Sequence, residues 1–207
     1  MESNHELLKK SMFKNIRPFL SATIAADQTE VIYQETLLKL QILVFGLDFR
    51  GNQAVEQHMK TVILPAVSLY KILQKHGFSQ DDAKDMIARY TCEEAEKTAK
   101  IYRFFGKIPF FYSIFAFAFR RVMASSFPKE GWTIEWLERE KDRTVFNIKS
   151  CLYLEVFTDQ GCKELTPLFC HLDEISYKHM SRKVKFERTK TLATDCDCCN
   201  FTFHKQK

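Results

Sequence analysis

The apolar residues of this chain change their period between residues 125 and 131, and that change limits the fold more than any other feature. Upstream, Val62, Ile63, Ala66, Val67, Leu69, Tyr70, Ile72 and Leu73 recur at the spacing of a helix buried on most sides. Downstream of Gly131, Trp132, Ile134 and Trp136 alternate with Thr133, Glu135 and Leu137. Phe146 and Ile148 alternate in the same way with Val145, Asn147 and Lys149, as half-buried strands do. Helices and strands drawn from separate stretches build an α+β fold. We therefore expect a single domain over residues 1–207. Its mainly helical half, 1–124, packs on a small antiparallel sheet of about four strands from a mixed half, 131–207, which carries the candidate site.

Within the helical half, Leu7 to Ile24, Glu30 to Phe45 and Thr61 to His76 have helical spacing, with Gly77 as the last one's cap. Ser79 opens a further helix, and Thr91 with Glu94 has capping-box spacing that opens another, ending near Phe105. Gly106 to Pro109 breaks the chain before a Phe-rich helix over 110–123 that ends on Arg120 and Arg121. In the mixed half, Gly161 suits the cap of a short helix starting at Cys151. Thr166 and Pro167 read as the N-cap and first residue of a helix through Tyr177. Arg182 to Leu192 and Cys199 to Phe203 read as strands.

Charge and motifs narrow the function. The net charge is only +5, with no basic stripe, which argues against nucleic-acid binding. The longest apolar run, Ile108 to Phe119, falls short of the roughly 20 residues of a membrane span. Residues 1–14 lack the apolar core of a secretory signal, so the seven cysteines point to reduced thiols in a cytoplasm. No phosphate-binding glycine loop, Gly-x-Ser-x-Gly elbow or His-Glu-x-x-His pair is present.

Six of the seven cysteines, Cys151, Cys162, Cys170, Cys196, Cys198 and Cys199, lie between residues 145 and 203. Arg188 shares strand parity with Val184 and Phe186, which turns it inward, and a buried Arg must meet an anion. That anion is either an internal carboxylate, Asp173 or Glu164, or a substrate carboxylate. Cys170 and Asp173 share a helix face, but a carboxylate alone raises a thiol's pKa. Activation would have to come from His171, His179, Arg188 or the amide end of a helix. A lone buried cysteine is most often an inert small hydrophobe. Cys196 and Cys199 supply one Cys-x-x-Cys pair where zinc sites use two; Cys151 and Cys170 could complete four ligands, yet reduced thiols on a turn are the simpler reading, with no metal assigned.

Several of these residues fall in a recognisable pattern. Cys151, Leu152 and Tyr153, Gly161 to Leu165, Phe169, Cys170 and Asp173, Val184 to Ala193, and Cys199 to Phe201 together resemble the L-2-amino-thiazoline-4-carboxylate hydrolase family. Leu64, Pro65 and the Gly77 to Ala83 junction are similar to that family's helical half. Two positions depart from it: the family usually has Gly at Asp195 and Asp at Asn200. The resemblance implies hydrolysis of a small cyclic amidine, a thiazoline, as a C–N hydrolase. Water adds to the carbon between ring nitrogen and sulfur, giving a carbamoyl-cysteine type product. Residue chemistry then suggests Cys170 or Cys151 as nucleophile, Asp173 as proton donor or orienter, and Arg188 as carboxylate anchor. It adds Thr191 as hydrogen-bond donor, with Cys199 and Asn200 beside the substrate. Two other readings stay open: a binding module whose Phe-rich helix lines an apolar pocket for a lipid or small molecule, and a thiolate zinc protein.

Overall fold

A computed structural model describes residues 4–140, 142–178 and 180–206. The chain divides into two compact units, residues 1–91 and 92–207.

The first unit is helical: α1 (Asn4–Lys9), α2 (Ile16–Thr23), α3 (Ala26–Gly46), α4 (Gln53–His58), α5 (Leu64–Lys75) and the start of α6 (Gln80–Phe105). Its core sets Ile32, Leu37 and Leu40 of α3 with Leu64, Val67, Tyr70 and Leu73 of α5, all buried. The expected helix from Leu7 to Ile24 is broken at residues 10–15. Tyr90 holds that break, stacking on Phe13 at 5.3 Å and donating its hydroxyl to the Met12 carbonyl at 2.9 Å. The helix expected from Thr61 begins instead at Gln53, where the Asn52 side chain accepts from the Ala54 and Val55 amides. It passes through a π-turn, Met59–Ile63, into α5. Pro65 explains the wide turn: it has no N–H for the Thr61 carbonyl, which accepts from Met12 N–H at 2.8 Å instead.

No second helix starts at Thr91. Its hydroxyl bonds back to the Ile87 carbonyl at 2.8 Å, and α6 runs unbroken for 26 residues because nothing there prevents the next turn. The second unit takes the end of α6 and then α7 (Phe111–Ser126), β1 (Trp132–Glu140), β2 (Arg143–Cys151), α8 (Leu152–Asp159), α9 (Thr166–Tyr177), β3 (Val184–Glu187) and β4 (Cys199–Lys205). Four strands form one antiparallel sheet in the order β1-β2-β4-β3. Its inner face is aromatic: Phe146 stacks on Phe201 at 5.0 Å, and Phe119 of α7 and Tyr177 of α9 pack edge-on against Phe203. Phe115 and Phe119 of the Phe-rich helix thus spend their rings on this core. The fold is α+β, with the sheet built from the C-terminal half.

Two local expectations fail for backbone reasons. Thr166 is not an N-cap, because a 3-10 turn, Lys163–Leu165, feeds α9 directly and leaves Thr166 helical. Its hydroxyl is buried without a hydrogen-bond partner. Thr166→Val should therefore stabilise the protein by about 1 kcal/mol, read as a rise in the denaturation midpoint; a fall would mean the hydroxyl is satisfied in solution. The strand expected over 182–192 pairs only from Val184 to Glu187, so Arg188 lies just beyond its end.

Candidate functional site

The second unit brings five elements to one place. Cys199 starts β4 on the sheet's inner face, opposite Ile148 of β2. Cys170 and Asp173 sit one turn apart on α9, and Cys151 caps the start of α8. Arg188 follows β3, and Thr191 precedes a 3-10 turn, Leu192–Thr194.

A hydroxyl lies between two sulfurs here. Thr191 Oγ1 lies 3.4 Å from Cys170 Sγ and 3.5 Å from Cys199 Sγ, and its one proton goes to the sulfur that carries the charge. The Leu192 N–H, the first amide of the 3-10 turn, donates to Cys199 Sγ at 3.2 Å. The two thiols divide one charge. A hydrogen bond from Cys170 is the main cause that brings Cys199 down to about 6, helped by Thr191, the Leu192 amide and the Arg188 charge against the opposing effect of burial. The same bond and burial push Cys170 well up. Burial pushes the Cys151 thiol up to about 11. Of the three, Cys199 is the sulfur set to carry the charge. Its main support is the Cys170 thiol, with the Leu192 amide assisting, whereas the sequence suggested an activator of Cys170. His171 turns instead to Glu174, 3.4 Å away. His179 lies outside the described residues.

Arg188 is oriented by this chain's own groups. It donates to Asp173 Oδ2 at 3.0 Å, to the Cys170 carbonyl at 2.8 Å and to Glu174 Oε1 at 3.0 Å, and lies 5.6 Å over the Phe201 ring. Its side chain is 5% exposed. The internal anions are thus Asp173 and Glu174. Sequence reasoning missed Glu174, although its place four residues after Cys170 puts it on the same face of α9.

Desolvation by the surrounding protein pushes the Asp173 carboxyl up to about 7, against the pull of Arg188. Yet 39% of its side-chain surface stays open to solvent. Tyr153 and Tyr177, also pushed up by burial while only part-covered, share that character. An open cleft elsewhere, of about 330 Å³, is lined by first-unit residues that include Lys10, Glu56 and Lys60.

Asn200 and Asp195 shape the loop around the thiols. The Asn200 amide oxygen accepts from Thr189 N–H at 2.9 Å and Lys190 N–H at 2.6 Å, and its NH₂ donates to Thr189 Oγ1 at 2.8 Å. Aspartate could accept from all three of those groups. Asn200→Asp should then keep the fold's stability, while Asn200→Ala should cost about 1 kcal/mol, read by chemical denaturation. Equal losses from both changes would refute that role. Asp195 sits at φ 58°, the left-handed region that glycine enters freely, which accounts physically for a glycine at this position in the family.

The dense cysteine turn disperses. Cys196 lies 3.8 Å from Thr194 Oγ1, Cys198 donates to Asp197 at 3.7 Å, and Cys199 turns to Leu192. Among the described residues no group of three His, Cys, Asp or Glu side chains is placed to hold a metal ion. None of the seven cysteines is in a disulfide among the described residues.

The α+β unit thus gathers a paired thiol, a raised carboxyl and a buried guanidinium. The family model for L-2-amino-thiazoline-4-carboxylic acid hydrolase matches residues 56–203, well over half of the chain, and the protein belongs to that family. Searches of curated proteins and of solved structures return no match.

Proposed function

We propose that this protein hydrolyses a small cyclic amidine, a 2-amino-thiazoline-4-carboxylate or a close analogue, with Cys199 as nucleophile. The observation that carries the reading is the Cys199 sulfur held by the Leu192 amide and the Thr191 hydroxyl beside Cys170 and Asp173. The thiolate adds to the ring carbon between nitrogen and sulfur while Asp173, protonated below about 7, gives its proton to the ring nitrogen. Collapse breaks the ring C–S bond, rather than the C–N bond expected from the sequence; the departing sulfur takes a proton from the exocyclic amino nitrogen, leaving a thiol and an isothiourea carbon bound to Cys199. Water, deprotonated by Asp173, then attacks the same carbon and releases Cys199, giving a carbamoyl-cysteine type product. Cys170 stabilises the thiolate by donating to it, and Arg188 fixes Asp173.

The test is to incubate the purified protein with L-2-amino-thiazoline-4-carboxylate. Free thiol and a ureido product should appear together. An acid-quenched sample should carry a mass adduct on Cys199 and not on Cys151 or Cys170. No turnover of this compound or its ring analogues would refute the function; turnover with the adduct on another cysteine would refute the assignment.

A further inference from the structure

The Phe-rich helix has two apolar faces, and the core uses only one. Tyr112, Phe119 and Met123 are buried, whereas Phe110, Ile114 and Phe117, at spacings of four and three, form an outward stripe that continues to Arg121. The end of α6 adds Ile101, Phe104 and Phe105, and the turn after it adds Ile108, on exposed surface of the same unit. Phe110, Phe117 and Phe104 are 81%, 69% and 68% exposed. Apolar surface on this scale, gathered in one stretch, marks an interaction site.

Two further observations indicate what covers it. From residue 97 to residue 129 the chain has no Asp or Glu, while Lys100, Lys107, Arg120 and Arg121 all fall within it. Phe110 takes φ 60°, a left-handed conformation that is costly for a bulky residue, and its ring gains no burial in return. The platform beneath is tied down. Ser181 Oγ donates to the Gly106 carbonyl at 2.7 Å, Lys183 Nζ donates to the Ile108 carbonyl at 2.9 Å, and a Cβ at Gly106 would lie 2.2 Å from the Met180 carbonyl oxygen. The rings are therefore presented from a fixed corner.

We propose that this corner docks on an anionic phospholipid surface, inserting Phe104, Phe110 and Phe117 at the level of the headgroups while the basic residues meet lipid phosphates. Aromatic rings among lysines and arginines, in a stretch of sequence without Asp or Glu, match an interfacial anchor, although Arg103 within it is paired with Glu96 at 3.0 Å. A second copy fits less well, because it would bring two cationic surfaces together. Among the described residues no helix is long and apolar enough to cross a bilayer, so the contact is peripheral.

The test is flotation of the whole protein with vesicles of phosphatidylcholine containing about a third phosphatidylglycerol, against vesicles of phosphatidylcholine alone. We expect binding to the anionic vesicles about tenfold or more stronger, and largely lost in about 0.5 M salt. The variant Phe104→Ser, Phe110→Ser, Phe117→Ser should lose binding about tenfold or more while keeping its circular dichroism and its ring-opening rate. If that variant fails to fold, Lys107→Glu with Arg121→Glu tests the same surface and should also lose binding. No binding by the wild type, equal binding to both vesicle types, or a dimer in light scattering that these substitutions dissociate would each overturn the proposal.

Discussion

Replacing Cys199 with serine is expected to abolish ring opening, lowering kcat/KM by about 10³-fold or more, because a hydroxyl in the same place is not ionised at neutral pH. Cys170→Ala should retain more activity. It removes the bond that most favours the Cys199 thiolate, so its signature is an upward shift in the pH at which Cys199 reacts, read as the rate of iodoacetamide alkylation. The wild-type pH profile follows from two groups of opposite sense. Below about 6 the Cys199 sulfur takes a proton and the nucleophile is lost. Above about 7 Asp173 has given up the proton it must donate. The kcat/KM profile should therefore be a bell with its maximum between those values, the limbs belonging to the coupled cluster rather than to single residues. A profile that climbs through pH 8 would exclude Asp173 as the acid, and full activity in Cys199→Ser would exclude the thiolate.

The second large effect is expected at Arg188. Arg188→Met leaves the Asp173 and Glu174 carboxylates facing each other and takes a cation from over Phe201. Losing one side of a buried ion pair costs about 3–5 kcal/mol, and the lower end applies here because both carboxylates keep some solvent. Arg188→Lys should recover only part, since an ammonium cannot reach two carboxylates and a carbonyl in one plane. The pH dependence has a definite sign. Asp173 titrates above its unfolded value, so the native state binds more protons between about 4 and 7, and stability falls as pH rises across that window. Without Arg188 the Asp173 carboxyl moves further up and the fall extends to higher pH. Urea denaturation of both proteins at several pH values measures this; parallel curves would mean that Arg188 and Asp173 are not coupled.

Much of the frame was readable from residue order. The period change near Gly131 divides helices from strands, Gly161 caps the short helix at φ 63°, and parity turned Arg188 inward although the strand itself ends at Glu187. Helix boundaries were less readable at Thr91 and Thr166. There a capping pattern is outvoted by helical residues on both sides, because propensity acts locally and nothing downstream stops the next turn.

The site shows the same division. Sequence by itself determined which groups were available: thiols, one inward guanidinium and a carboxylate one turn from a cysteine. Only the tertiary structure decided which sulfur is the acidic one and which carboxylates Arg188 meets. Those outcomes depend on the Leu192 amide, the Thr191 hydroxyl and Glu174 converging from separate elements, and hydrogen bonds and charges act through distance in space rather than along the chain.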